Sequence, residues 1–339
     1  MTTELDIYKK NRINEIQNIY NTNVARLYSD LANNIKNIQS TRLISQSVKQ
    51  RNINNLITQY NTNVNTLKNS LTQAITTLQN FKPKQLIISN NNNNKKALLI
   101  GINYTGTQNE LYGCINDVNC IKDKISKQGF TDNNVKIMTD LTSKKATQAN
   151  ILEEFKNLLI NSQAGDFLFF LYSGHGSYTL DRNKDETNSY DEMIIGCDLQ
   201  GILDDDLKSL IQTYLKADIT LFALFDSCFS GSVLDLKYQY LDSLNYDKYT
   251  ENPKQLETLG NVIMISGCTD NQTSTDAFIN NQANGAMTWS LLEALKQKPG
   301  CSWRELIKTM RDLLKKSQYS QIPQFSSGLF VNIDATVFI

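Results

Sequence analysis

The absence of glycine and proline from the first 82 residues is the feature that most constrains how this chain can fold. All four prolines and all fifteen glycines of the 339 residues lie after residue 82. Because these two residue types interrupt helices and form turns, a segment without them can remain helical over a long distance. Apolar residues recur at helical spacing from Ile13 to Ile38 and from Tyr60 to Phe81. We therefore predict two long amphipathic helices, interrupted near residues 40–52.

These helices contain an internal repeat. The segment Tyr20-Asn-Thr-Asn-Val24 recurs as Tyr60-Asn-Thr-Asn-Val64, and both copies continue with apolar residues at matching positions. The second series steps alternately by four and three residues, as a heptad pattern does. A helical hairpin, docking on the following domain and an intermolecular coiled coil all fit the pattern. Because asparagine is a poor helix former, we expect these helices to need a packing partner.

The composition changes after the helical region, residues 1–82. Residues 83–95 begin with proline and include five consecutive asparagines, which is typical of a linker. In residues 96–339, apolar strands alternate with amphipathic helices, so we predict one α/β domain with a mainly parallel sheet covered on both faces. The predicted strands are 96–102, 135–138, 166–172, 219–225 and 262–266, and the predicted helices are 113–128, 145–161, 205–215, 288–296 and 303–315.

Composition also bounds the class of protein. With 40% hydrophobic and 20% charged residues, and without an apolar run of about 20 residues or a signal peptide, we expect a soluble cytoplasmic protein with no membrane or nucleic-acid partner. The six cysteines form no CxxC pair, which argues against a zinc knuckle or a disulfide scaffold. No acidic residue occurs between Leu31 and Asn109. An anionic partner and a solvated, asparagine-rich helix face both fit that stretch.

The only histidine, His175, follows the apolar strand 166–172 in the turn Ser173-Gly174-His175-Gly176. Cys228 follows the apolar strand 219–225 in the same way. If these strands are neighbours, thiol and imidazole emerge at the same sheet edge, as acyl transfer by a cysteine nucleophile requires. Backbone N–H groups near Gly174 and Cys228 are then candidates for an oxyanion site. Taken separately, a structural histidine and a small buried cysteine are the plainer interpretations.

The motifs Tyr-Ser-Gly-His-Gly and Asp-Ser-Cys-x-Ser-Gly, in this order, resemble the catalytic motifs of the metacaspases, and the layout resembles their type I subgroup. Three further stretches agree with this resemblance: 111–117, 266–274 with 285–289, and 324–328. The resemblance extends over about residues 95–339. It implies a caspase-like α/β/α sandwich and hydrolysis of peptide bonds after Arg or Lys, with His175 as general base and acid and Cys228 as nucleophile.

The resemblance also implies a pocket for a basic substrate side chain, formed by Asp117 and Asp226 and lined by Cys114 and Ser173. Two carboxylates in a narrow cleft suit a guanidinium held in a bidentate grip. Without the resemblance, Asp117 fits a residue at a helix start and Asp226 a strand-end cap. Phe229 departs from the family, since many metacaspases have a second histidine after the nucleophile.

A calcium site is a further implication, with Asp191, Asp204, Asp205 and Asp235 as ligands and an activating role for the ion. Carboxylates from separate loops, together with water, satisfy the six to eight oxygen ligands that calcium takes. The alternative is that Asp204 to Asp206 cap the following helix. Residues 181–192 partly echo an EF-hand loop, but Glu186 stands where that loop requires glycine, so we do not expect an EF-hand.

Two further hypotheses concern the whole chain. Self-cleavage is one, because Lys237, Lys248 and Lys254 lie in the polar segment after the nucleophile. The other is a different class of function, a catalytically silent caspase-like scaffold or regulator that acts through its helical region, by self-association or by docking on the catalytic domain. Phe229 and the unusual helices motivate that alternative. The joint presence of Cys228 and His175 argues against it.

Overall fold

The computed structural model describes residues 4–42, 44–80, 95–180, 190–227, 233–240, 249–252, 255–267, 276–279 and 282–339. The chain divides into two compact units, Met1–Lys84 and Gln85–Ile339. Among the described residues, no helix combines the length and the apolar character that crossing a membrane requires.

The first unit is a pair of long helices, α1 (Glu4–Ser40) and α2 (Gln46–Asn80), as the sequence predicted. They pack against each other as a hairpin, with Tyr28 and Tyr60 in edge-to-face contact at 6.4 Å between ring centroids. The predicted apolar stripe, including Val24, Leu67 and Leu71, is half-buried. None of the described side chains of α1 and α2 is fully buried. Two helices alone cannot enclose a core, which explains this partial burial.

The second unit contains thirteen strands and five further helices within its described residues. The strands are β1 (Lys95–Gly101), β2 (Val135–Thr139), β3 (Phe167–Ser173), β4 (Gly176–Leu180), β5 (Tyr190–Ile195), β6 (Gly201–Leu203), β7 (Thr220–Asp226), β8 (Tyr238–Tyr240), β9 (Thr250–Glu251), β10 (Asn261–Ser266), β11 (Asp276–Ile279), β12 (Gln282–Gly285) and β13 (Gln324–Ser327). The helices are α3 (Cys114–Ser126), α4 (Gln148–Ile160), α5 (Asp204–Tyr214), α6 (Ala286–Gln297) and α7 (Trp303–Lys316).

Eight strands form the central sheet, in the order β2-β1-β3-β7-β10-β13-β8-β9. The first five run parallel, and β13, β8 and β9 extend the sheet with antiparallel pairs. The mainly parallel sheet is thereby confirmed. β3 and β7 are direct neighbours, with Ser173 opposite Asp226 in the register. The strand that precedes His175 and the strand that precedes Cys228 therefore end at the same edge of the sheet.

Helices cover both faces of this sheet, which makes the domain an α/β/α sandwich. Side chains of β3 alternate between two cores: Phe169 lies in the core that also contains residues of α3, α6 and α7, and Phe170 lies in the core with α4 and α5. This alternation follows from the two-residue period of a strand. Because both faces are covered, all seven residues of β3 and of β7 are buried.

Two smaller sheets lie outside the central one. β4, β5 and β6 form an antiparallel sheet that begins with Gly176, immediately after His175. β11 and β12 form a hairpin that leads into α6. The sequence did not predict these strands, and they contribute much of the surroundings of the candidate site.

Candidate active site

The candidate catalytic histidine lies just beyond the central strand β3. His175 is half-buried, and its ring packs against the ring of Tyr104 with 4.6 Å between centroids and a tilt of 39°. Its Nε2 lies 2.7 Å from the Asn109 carbonyl oxygen. A carbonyl oxygen only accepts hydrogen bonds, so Nε2 carries the proton. In the neutral imidazole, Nδ1 is then the nitrogen that can accept a proton from a thiol.

Tyr104 contacts the backbone as well as the ring of His175. Its hydroxyl accepts a hydrogen bond from the His175 N–H at 3.0 Å and lies 2.7 Å from the Ile195 carbonyl oxygen, to which it donates. A second buried tyrosine, Tyr172, lies beside it, with 3.1 Å between the two hydroxyl oxygens. Burial raises the pKa of both phenols, Tyr104 and Tyr172, above their usual value. Both therefore stay neutral and act as hydrogen-bonding groups.

The two predicted pocket acids lie together beneath this edge. Asp117 comes from α3 and Asp226 is the last residue of β7, and both are buried. The Ser173 hydroxyl donates to Asp117 Oδ2 at 2.7 Å. Cys114 begins α3, one turn before Asp117, and is buried as well. The structure thus brings together Asp117, Asp226 and Ser173, and it places Cys114 on the same helix as Asp117.

The amino end of α6 holds both carboxylates. The Gly285 N–H lies 2.9 and 3.0 Å from the two oxygens of Asp117, and the Thr288 N–H donates to Asp226 Oδ2 at 2.8 Å. A Cβ at position 285 would overlap Asp226 Oδ2 and lie 2.6 Å from Asp117 Oδ2. Only glycine permits this close approach. The helix terminus also favours negative charge at this point, which helps to stabilise two buried carboxylates side by side.

The candidate nucleophile, Cys228, lies outside the described residues, as does Phe229. The preceding residue, Ser227, is fully buried directly after β7. The Gly174 N–H itself donates to the Asp226 carbonyl oxygen at 3.3 Å, so it is engaged between the two strands, and an oxyanion site formed by other N–H groups near Gly174 and Cys228 stays a prediction. The neighbouring strand takes this donor because β3 and β7 continue their hydrogen bonding one residue beyond Ser173.

The predicted calcium ligands come from β5, the start of α5 and the segment after β7. Ligand oxygens of Asp191, Asp204 and Asp205 all lie within 4.8 Å of one another. Asp191 comes from β5, and the other two begin α5. Asp235 is close enough for its charge to act on Asp204. The partly echoed EF-hand segment, residues 181–186, lies outside the described residues, and Asp206 performs the predicted capping, since it accepts from the Leu203 N–H at 3.3 Å.

The acidic cluster is crowded with negative charge. Burial, and then the charge of Asp235, raise the pKa of Asp204 to about 9. The buried Glu192 adds a fifth carboxyl group beside Asp204. Lys208 supplies positive charge, with its ammonium 3.3 Å from Asp235 Oδ2 and 3.8 Å from Asp205 Oδ1. Two ligand oxygens on one calcium ion lie at most about 5 Å apart, and the oxygens of Asp191, Asp204 and Asp205 meet this limit, so these carboxylates fit a hard divalent cation.

Comparison with known proteins agrees with this geometry. A family model described as the metacaspase, peptidase C14 domain matches residues 95–237. Metacaspase-1 of Meyerozyma guilliermondii is 35% identical over 283 residues, which cover 68% of this chain and 69% of that protein. The chain belongs to the metacaspase family. Metacaspase-1 of Schizosaccharomyces pombe is 36% identical over 282 residues, covering 68% of this chain and 66% of that protein.

The metacaspases are cysteine peptidases, so this chain belongs to a class of hydrolases whose substrates are proteins. It spans about two thirds of the length of these relatives. A solved structure of a Geobacter sulfurreducens protein has the same fold, with a TM-score of 0.53, 24% identity, and coverage of 72% of this chain and 98% of that one. The α/β/α sandwich expected from the motifs is confirmed by the sheet and its two helical layers, in a chain of the metacaspase family.

Sequence reasoning missed three residues that contact the metacaspase site. Tyr104 and Asn109 follow β1, which is the neighbour of β3, so a search for polar and aromatic residues after every parallel strand would have found them. Gly285 begins the stretch 285–289 that supports the family resemblance, but nothing in that stretch signals its contact with the two carboxylates. Its role depends on close packing between α6 and two carboxylates that are more than 50 residues distant in sequence, which no local pattern records.

Proposed function

We propose that this metacaspase-family chain is an endopeptidase that cleaves after Arg or Lys with a Cys228–His175 dyad, and that calcium activates it. The observation that carries the proposal is the pair of buried carboxylates, Asp117 and Asp226, at the sheet edge that also bears His175.

The proposed reaction starts from the His175 tautomer described above, in which Nε2 carries the proton and Nδ1 can accept one. Nδ1 takes the proton of the Cys228 thiol, and the sulfur attacks the carbonyl carbon of the scissile bond. The imidazolium then gives this proton to the leaving amine, which yields a thioester. Water, deprotonated by the same imidazole, hydrolyses the thioester and restores the thiol. The Asn109 carbonyl supports both halves, since it accepts from Nε2–H in the neutral ring and in the cation.

The proposed specificity follows from charge. Two carboxylates removed from water are costly unless positive charge or hydrogen bonds compensate them. N–H groups of α6 and the Ser173 hydroxyl supply part of that compensation, and a substrate guanidinium or ammonium supplies the rest. An acidic substrate side chain adds a further negative charge to the pair, so cleavage after Asp is disfavoured.

Reporter peptides test this specificity. We expect the wild-type chain, at millimolar calcium, to cleave after Arg and Lys at least about 100-fold faster than after Asp, because favourable charge is replaced by repulsion. Cys228→Ala should reduce cleavage to background without lowering the melting temperature. Cys301→Ala, which removes a buried cysteine in the core formed with α6 and α7, is the matched control and should remain active. Preferred cleavage after Asp, or full activity of Cys228→Ala, would contradict the proposal.

For calcium, we propose Asp191, Asp204, Asp205 and Asp235 as the residues that hold the ion. The bound ion supplies positive charge that neutralises the crowded carboxylates. Strand β5 is a physical connection from this cluster to the dyad: Asp191 lies near its beginning, and at its end the Ile195 N–H donates to the His175 carbonyl oxygen at 3.1 Å. A change of charge at Asp191 therefore acts on a strand that contacts the candidate base.

Calorimetric titration tests the calcium site independently of cleavage. We expect one calcium ion per wild-type chain and no measurable binding to the variant Asp204→Asn with Asp205→Asn. Asp206→Asn is the matched control, because Asp206 lies in the same helical turn but caps α5, and asparagine also caps well. Unchanged binding to the double variant would exclude this site, and binding lost equally in Asp206→Asn would show that only folding was disturbed.

Self-cleavage, the behaviour of the helical unit and the location of the chain also belong to the proposal.

Self-cleavage is expected after Lys237, Lys248 or Lys254, the last two of which lie outside the described residues, and intact mass before and after calcium addition measures it. The half-buried apolar stripes of α1 and α2 fit either self-association or docking on another surface, and the sedimentation of the whole chain at increasing concentration distinguishes the two. A cytoplasmic location remains a prediction from the sequence.

A further inference from the structure

We propose that Tyr104 is a positioning residue for catalysis, which holds the imidazole of His175 in the orientation that presents Nδ1 to the nucleophile. This inference rests on the proposed role of His175 as general base and acid. Among the described residues, the hydrogen bonds of the Tyr104 hydroxyl go to Tyr172, His175 and Ile195 and its ring packs on His175, so its contribution is made through His175.

Tyr104 holds His175 at two separate points. Its ring packs on the imidazole at 4.6 Å between centroids, which restricts rotation of the histidine side chain. Its hydroxyl accepts from the His175 backbone N–H at 3.0 Å and so fixes the backbone from which that side chain projects. The same hydroxyl donates to the Ile195 carbonyl oxygen at 2.7 Å and is thereby itself oriented. One tyrosine thus restrains both the main chain and the ring of the candidate base.

The backbone of Tyr104 is strained, which indicates that its position is imposed by its surroundings. Its φ is +52°, in the left-handed region that a bulky residue rarely adopts. The loop on either side is anchored to Asp140, whose carboxylate accepts from the Asn103 N–H at 3.2 Å and from the Thr105 N–H at 3.0 Å. The Tyr104 carbonyl also accepts from the Thr107 N–H and hydroxyl. The strain is therefore held by bonds on both sides of the residue.

The loop that carries Tyr104 also supports the rest of the site. The Asn103 side-chain oxygen accepts from the N–H groups of Cys114 and Ile115, at 3.1 and 3.3 Å, and so caps the helix that bears Asp117. Further along, Asn109 provides the carbonyl that binds His175 Nε2. Proton transfer is sensitive to geometry, since a misplacement of about 1 Å can cost about 100-fold in rate. A loop with these contacts is suited to holding that geometry.

The test compares Tyr104→Phe, which removes only the hydroxyl, and Tyr104→Asn, which removes the ring but tolerates the left-handed backbone. Tyr240→Phe is the matched control: Tyr240 is also buried, and its hydroxyl likewise donates to a carbonyl and accepts from an N–H, both of Val331. Because His175 is the only histidine, its Hε1 proton gives a single NMR signal whose shift reports the ring current of Tyr104.

We expect kcat to fall about tenfold in Tyr104→Phe and about 100-fold in Tyr104→Asn, with KM changed less than about threefold. The His175 signal should lose its ring-current shift in Tyr104→Asn. Tyr240→Phe should lower the melting temperature while kcat and the signal stay at wild-type values. If both Tyr104 variants match Tyr240→Phe in kcat, the inference is wrong; if Tyr104→Asn does not fold, kcat of Tyr104→Phe decides alone. Wild-type activity in His175→Ala would instead overturn the proposed dyad itself.

Discussion

A single glycine determines whether the two pocket carboxylates can lie side by side. Gly285 approaches both Asp117 and Asp226 so closely that no side chain fits between them and the backbone. Its N–H also binds both oxygens of Asp117. The proposed pocket therefore depends on a backbone group, and on the lack of a side chain, as much as on the acids themselves.

We predict that Gly285→Ala displaces Asp226 and lowers kcat/KM for Arg peptides by about 100-fold, since the added methyl group occupies the space of a carboxylate oxygen. Steady-state kinetics on the Arg reporter measures this loss. Gly300→Ala is the control, because position 300 has a φ of +72° that strains alanine but offers open space for the Cβ. It should reduce stability and leave kcat/KM unchanged. Equal kcat/KM in Gly285→Ala and the wild type would refute the role of Gly285.

Residues whose position follows from a local motif were predictable, and those whose role depends on distant packing were not. Ser173 and Asp226 end two buried strands and His175 follows one of them, so the sequence predicted their proximity on the condition that the strands are neighbours, as the structure shows. Gly285 and Tyr104 become important through contacts with other elements. The engaged N–H of Gly174 was missed for the same reason, since it depends on the exact pairing of β3 with β7.

At the level of elements, the helices and parallel strands agree with the prediction to within a few residues. The strands β4, β5, β6, β8, β9, β11, β12 and β13 were missed, because they are short and do not form a continuous apolar run. Their positions are set by pairing, as in β13, which lies antiparallel to β10. Long-range pairing of this kind leaves little local signal in the sequence.

One ion-pair cluster connects helix α4 to β2, the first strand of the central sheet, and to the loop that follows β2. Glu154 of α4 lies 2.6 Å from the Lys136 ammonium of β2 and 2.5 Å from the Lys144 ammonium in the following loop. Burial alone would raise the pKa of Glu154, but the hydrogen bonds and charges of these two lysines lower it below its usual value. The contacts therefore stabilise the folded state while Glu154 is ionised.

We predict that Glu154→Gln lowers the free energy of unfolding by about 1 kcal/mol at pH 7. Because the folded-state pKa is lowered, the stabilisation is complete above the unfolded pKa of about 4.3 and is lost as the pH falls through the folded value. Urea unfolding at pH 7 and at pH 3 measures the difference between variant and wild type, which should shrink at the lower pH. A difference that persists undiminished at pH 3 would show that packing, and not charge, is the cause.

Across the whole molecule, the polar helical unit and the peptidase-family domain differ in how completely their side chains are buried. The domain buries all residues of its central strands β3 and β7, whereas the described side chains of α1 and α2 are at most half-buried. The sequence indicated this division through its glycine and proline content. It left open whether the helical unit pairs with itself or with another surface, because an apolar stripe on a helix does not specify its partner.

The most direct test of the account is covalent labelling with an Arg-bearing peptide chloromethyl ketone, in which a reactive thiolate displaces chloride and forms a thioether. At millimolar calcium, we predict one label per wild-type chain by intact mass, mapped to Cys228 by peptide analysis. His175→Ala should label far more slowly, and the Asp-bearing analogue should not label. A label on any of the other five cysteines, or equal labelling by the Arg and Asp analogues, would contradict the proposed dyad and its acidic pocket.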